Sequence, residues 1–237
     1  WPTAILVCAR AALVIGALSV RTSGVHFIMI TLAFAEMIYF LFQSLKACGG
    51  SDGLGFRRRD ALPFLDMRDD VTFYYVCLGL MVVFVALCRR IVRSRFGMAL
   101  QGIRQNERRM AALGLHTGGY KLAAFVIAGA GAGLAGALSA NLLRFVSPDM
   151  MHWTISGDLL AMVILGGVGS VFGPVLGAAV MVAVQSWLAQ WTEHWMILFG
   201  PFLVLVVLFA RGGIWGLLSG SGRPAQVAPL ALKSAQP

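Results

Sequence analysis

The sequence predicts an all-α, polytopic integral membrane protein of about seven crossings. Three observations carry that reading. Of the 237 residues, 59% are hydrophobic and 12% charged, against about 45–50% and about 25% in ordinary soluble domains. Several apolar windows approach or reach the roughly 20 residues that a helix needs to cross a bilayer. The basic residues lie beside those windows, as Lys and Arg do on the cytoplasmic side of membrane proteins. The net charge of +9 therefore reads as membrane orientation and not as nucleic-acid binding.

The elements follow in order. Residues 3–20 are an apolar run interrupted only by Arg10, and residues 25–45 are a second run holding His26 and Glu36. Only Arg21-Thr22-Ser23-Gly24 separates them, which makes a helical hairpin. Residues 46–70 are polar, contain "GGSDGLG" and Arg57-Arg58-Arg59, and balance their acids and bases. Residues 71–88 are the third span. Residues 89–121 carry Arg89, Arg90, Arg93, Arg95, Arg104, Arg108, Arg109 and Lys121 against the single acid Glu107. That bias makes the segment cytoplasmic. Counting crossings from it places 46–70 outside, the turn at Arg21 inside and Trp1 outside.

The fourth span, 122–140, emerges outside at "NLLRFVSPDMMHW", where Pro148 stops a helix. Residues 155–189 are too long for one span and are broken by "GGVGSVFGP", residues 166–174. Gly166, Gly167, Gly169, Gly173 and Pro174 argue for a turn between two short helices or a re-entrant hairpin. Either adds an even number of crossings. A last span at 196–210 leaves the tail from Arg211 inside. The organisation is thus a single transmembrane domain over 1–218 and a tail of disordered composition over 219–237. The opening Trp1 raises the expectation of further helices upstream.

Chemistry-bearing patterns are sparse. Cys8, Cys48, Cys77 and Cys88 form no CxxC pair and have no histidine at ligand spacing, so the sequence offers neither a metal site nor a redox motif. "GVGSVFG" has the wrong spacing for a nucleotide fingerprint. Neither Ser156 nor Ser170 sits in a G-x-S-x-G elbow. Glu36, midway along its span, is either a buried hydrogen-bonding group or a residue lining a translocation path. His26 lies about 15 Å from it by helical rise and cannot pair with it; Arg10 can answer it across the hairpin. Gly129 and Gly133, with Gly136 nearby, form a GxxxG face, as do Gly173 and Gly177. Static packing and gating are equally open readings of these glycines.

The stretch "MALQGIRQNERRMAALGL", residues 98–115, is the unusual one. If 99–114 is one helix, Leu100, Ile103, Met110 and Gly114 form a stripe with Glu107 at its centre. Gln101, Arg104 and Arg108 then lie opposite. Such a helix docks in a protein groove, or lies at the interface with its arginines on lipid headgroups. A lipid-facing stripe gains nothing from a central carboxylate, and that favours the protein groove.

Here the residues resemble a known family. "GIRQNERRMAALGL", then "YKLAAFVIAGAGAGLAGAL", then "LGGVGSVFGPVLGAA", with "TLAFAEMIYF" and "GGSDGL" upstream, are similar to the permeases of branched-chain amino acid ABC importers. Within that family the resemblance is to the second of two paired membrane subunits, over residues 20–218. It implies that Ile103, Arg104, Asn106, Glu107, Ala111 and Gly114 hold positions of a coupling helix inserted into a cytoplasmic ATPase. It implies no catalysis and no cofactor in this chain, with ATP and Mg bound on partner subunits. The implied partners are a homologous second permease, two ATPase subunits, a periplasmic binding protein and membrane lipid, in the bacterial inner membrane. A urea or short-chain amide importer of the same superfamily is the nearest alternative. An ion-coupled carrier would need paired intramembrane carboxylates, where this chain has Glu36 and one glycine break. A membrane anchor without transport is the third class.

Overall fold

The computed structural model describes residues 1–22, 24–45, 50–55, 69–167, 170–191 and 200. The expected last span at 196–210, the tail and Gly169 lie outside these, except for Gly200. The described chain is helical: α1 (Pro2–Ser19), α2 (Val25–Ser44), α3 (Asp70–Arg93), α4 (Arg95–Gln105), α5 (Glu107–Ala112), α6 (Thr117–Leu143), α7 (Trp153–Gly166) and α8 (Gly173–Trp191). Two strands of two residues each, β1 (Leu54–Gly55) and β2 (Phe145–Val146), pair antiparallel with Leu54 opposite Val146.

Five helices among the described residues, α1, α2, α3, α6 and α8, are long and apolar enough to cross a bilayer. Their apolar side chains largely face outward; Val25, Met29, Met37 and Phe40 on α2 and Val71, Tyr75, Val83 and Leu87 on α3 are all exposed. Only in hydrocarbon is that surface favourable. α7 has 14 residues, or about 21 Å of rise, short of the roughly 30 Å of hydrocarbon.

The chain divides into two units, 1–156 and 157–237. In the first, α1 and α6 run antiparallel in close contact, and small residues explain why. On α1, Ala4, Cys8, Ala12 and Gly16 recur every fourth position and so share one face. Against them lie Gly129 and Gly133 of α6. A methyl group on Gly129 would stand 2.5 Å from the Ala12 Cβ, and one on Gly133 would stand 2.7 Å from the Cys8 Cβ. Further along, Leu122 and Phe125 of α6 fill the space over Gly16, each 2.9 Å from where its Cβ would sit. Phe84 of α3 covers Gly131 on another side of α6. Gly136, grouped with the packing glycines by its spacing, has open space beside it.

This register gives unit 1 two distinct ends. The α1–α2 turn at Arg21 lies at the start of α6, the end to which the α4–α5 segment is also packed. The ribbon β1–β2 lies at the other end of α6, about 40 Å away by helical rise. There Gly53, at φ +73°, lets the backbone approach Val146 and Phe145, and Tyr39 meets His152 edge-on with ring centroids 5.6 Å apart.

In the second unit, α7 and α8 form a tight helical hairpin. A methyl group on Gly166 would overlap the Gly173 carbonyl, and one on Gly177 would overlap the Met162 carbonyl. Gly167 takes φ +108°, and Ser170 Oγ accepts a 2.8 Å bond from the Gly173 amide. On either side of the glycine-rich break the two helices therefore pack backbone on backbone.

Candidate functional site

The segment between α3 and α6 is built by local rules. Ser94 is extended, at φ −77° and ψ 168°, and caps α4 by accepting from the Gly97 amide at 3.3 Å. Its hydroxyl also donates to the Ile91 carbonyl at 2.6 Å. A methyl group at Gly97 would strike the carbonyls of Ile91 and Val92, so the sharp corner between α3 and α4 needs glycine there.

The sequence predicts one helix over 99–114; the structure divides it at Asn106. That residue is extended, at φ −157° and ψ 98°, and its Oδ1 accepts the Arg109 amide at 3.0 Å. An asparagine side chain that satisfies a free amide offers the backbone an alternative to continuing the helix. α5 then ends on Gly114 at φ +85°. The Leu115 amide donates to the Met110 carbonyl at 3.2 Å and the Gly114 amide to the Ala111 carbonyl at 3.0 Å. These paired bonds are a Schellman closure, which places a left-handed residue after the last turn.

The break redistributes the expected stripe. Ile103 is buried at 6% exposure, and Met110 folds back over Gly102, its Cε 2.7 Å from where a Cβ would sit. Glu107 does not stand at the centre of a docking stripe. It turns to α6, where the Lys121 Nζ donates to its Oε1 at 2.5 Å. The hydrogen bond from Lys121 holds the Glu107 carboxyl below its ordinary range, its charge and Thr117 adding to the effect against slight desolvation. Glu107 is also the first residue of α5, where a negative charge meets the helix's positive end. At the preceding residue of α6, Phe96 of α4 stacks on Tyr120, with centroids 5.6 Å apart and planes 25° apart.

What remains outward is a short basic and apolar surface. Arg104, Asn106, Arg108, Arg109, Ala111 and Gly114 are exposed, and Leu113 is 71% exposed. The segment is thus a compact two-helix body fixed to α3 by the Ser94 corner and to α6 by two side-chain contacts.

Of the other site residues, Gly129 and Gly133 lie together on α1, and Gly166, Gly173 and Gly177 lie together in the α7–α8 hairpin; Gly136 joins neither group. Glu36 is half-buried on α2 and Arg10 is exposed on α1. The expected pair between them does not form, and among the described residues Glu36 has no ion-pair partner. Spacing from the hairpin turn matched their depth but not their helix faces. Sequence reasoning missed Ser94, Phe96, Gly97 and Tyr120, and the small stripe on α1. The fourfold recurrence of small residues from Ala4 to Gly16 was the available signal for that stripe.

Five apolar helices of spanning length, glycine-lined helix contacts and a short, exposed helical body between two of the spans define a polytopic membrane protein. The family model described as branched-chain amino acid transport system, permease component, matches residues 1–209, and the chain belongs to that family. It is 30% identical, over 90% of its length, to the high-affinity branched-chain amino acid transport system permease protein LivM of Salmonella typhimurium. The protein of the same name from Escherichia coli K12 is likewise 30% identical over 90% of the chain. The chain spans 56% of the length of each relative. No solved structure matches it.

Proposed function

We propose that the chain forms the membrane pathway of an ATP-driven importer for branched-chain amino acids, and that α4–α5 couples it to a cytoplasmic ATPase. The exposed α5 beside the basic end carries this reading. A permease that never touches ATP needs a rigid body on which the ATPase can pull, and α4–α5 is attached to both flanking spans. Arg104, Asn106, Ala111 and Gly114 line its outward side, while Ile103 anchors it inward. Glu107 holds the body to α6. Residues 89–121 and the C-terminal tail then face the cytoplasm of a bacterial inner-membrane protein.

In this reading the chain hydrolyses nothing and binds no cofactor; ATP and Mg belong to two ATPase subunits. A homologous second permease completes the pathway, and a periplasmic binding protein delivers the amino acid at the β1–β2 end. The glycine contacts of α1–α6 and α7–α8 let helices approach closely enough to rock as packed units. The branched-chain amino acid transport for which both relatives are named supports leucine, isoleucine and valine as cargo. ATP-driven uptake of labelled leucine into proteoliposomes holding the complete complex tests the proposal. Uptake that competes with isoleucine and valine supports it. An assembled, ATP-hydrolysing complex that ignores leucine and carries urea or short amides overturns the substrate assignment.

A further inference from the structure

Resting on that coupling role, we infer that Glu107–Lys121 and Phe96–Tyr120 form a two-point clamp that passes movement of α4–α5 to α6. The two contacts start on different helices, Phe96 on α4 and Glu107 on α5, and end on consecutive residues of α6. Residues 113–116 alone join α5 to α6, and a connection of that length lets α5 swing without moving its neighbour. Two side-chain attachments at separate points of a short body fix its orientation as well as its distance.

α6 is the helix able to use the input. At its middle, Gly129 and Gly133 lie on Cys8 and Ala12 of α1, a stretch without long interlocking side chains, while nearer its start Leu122 and Phe125 pack over Gly16 and tie its movement to α1. The ion pair is suited to positioning and not to stability: the side chains of Lys121 and Glu107 are 30% and 44% exposed, and pairs so exposed add little to folding. Breaking it leaves the fold in place and loosens the body.

The test is leucine taken up per ATP hydrolysed by the complete importer in proteoliposomes. Lys121→Met and Glu107→Gln are expected to assemble with the ATPase and hydrolyse ATP, with a ratio lowered by up to about fivefold, the upper end of what one exposed ion pair contributes. Lys121→Arg, which keeps the charge, retains the ratio, and the double variant is no worse than either single one because both remove the same contact. An unchanged ratio in both single variants, in a wild-type complex that couples normally, overturns the clamp. A wild-type chain that binds no ATPase, or takes up no leucine, overturns the coupling reading itself and the clamp with it.

Discussion

Gly133 of α6 lies so close to Cys8 of α1 that a methyl group at 133 would stand 2.7 Å from the Cys8 Cβ and 2.9 Å from its Sγ. The Ala4 carbonyl lies 3.1 Å from the same point. Backbone and short side chain together leave no room to give way. Gly133→Leu is expected to force α1 and α6 apart and cost about 1–3 kcal/mol, as overpacking does. Gly136→Ala, with nothing nearby, is expected to be neutral or to gain up to about 1 kcal/mol in helix propensity. Thermal unfolding in detergent compares them; equal midpoints for the two variants would contradict the packing.

The corner at Gly97 makes a second comparison. Gly97→Ala pushes a methyl group into the Ile91 and Val92 carbonyls, whereas Gly118→Ala in the first turn of α6 meets open space. The first is expected to lower stability by about 1–3 kcal/mol and to weaken ATPase binding; the second leaves both unchanged. Co-purification with the ATPase subunits reads the difference, and a Gly97→Ala chain that binds as wild type removes the corner from the account of coupling.

Asn106 caps α5 through Arg109. Asn106→Ala is expected to cost about 1 kcal/mol and Asn106→Asp much less, because aspartate caps equally well. Nitroxide labels at Met98 and Leu113, both exposed, report the angle between α4 and α5. Removal of the cap shifts their separation towards the about 22 Å of a continuous helix, and an unmoved distance would show that the cap does not set the break.

The Glu107 carboxyl is depressed by Lys121, and the sign of its pH dependence follows. A group whose folded pKa lies below its unfolded value contributes stability above the unfolded pKa and loses it as pH falls through the folded one. The α5–α6 contact therefore stays intact at neutral pH and loosens only in acid, below the ordinary carboxylate range of about 4.3. Carboxyl resonances of labelled Glu107 in the wild type and in Lys121→Met measure this. The variant titrates at the higher pH; coincident curves would mean the pair does not form in solution.

The spans were legible because hydrocarbon demands long apolar helices, and the boundaries at residues 20, 25 and 45 agree with α1 and α2 to within a residue or two. The end of the third span was not. α3 continues through Arg89, Arg90 and Arg93, since arginine is a good helix former that ends a membrane span without ending a helix. The glycine break near 166–174 could be read because glycine and proline act locally. The division at Asn106 could not, because periodicity across 99–114 counts apolar positions and is blind to one side chain capping an amide. Lys121 could be read as cytoplasmic charge, but its role depends on the bend at Gly114, which returns the chain towards Glu107. The ribbon β1–β2 joins segments some 90 residues apart, beyond any local pattern.

The most direct measurement is a photo-crosslinker in place of Leu113, the most outward apolar side chain of the segment at 71% exposure, in the complete importer in membranes. Docking of α4–α5 predicts an adduct with the ATPase subunit that changes in yield when ATP is trapped on that subunit. Adducts formed with phospholipid alone, whatever the nucleotide, would contradict it and make the segment a membrane-surface helix.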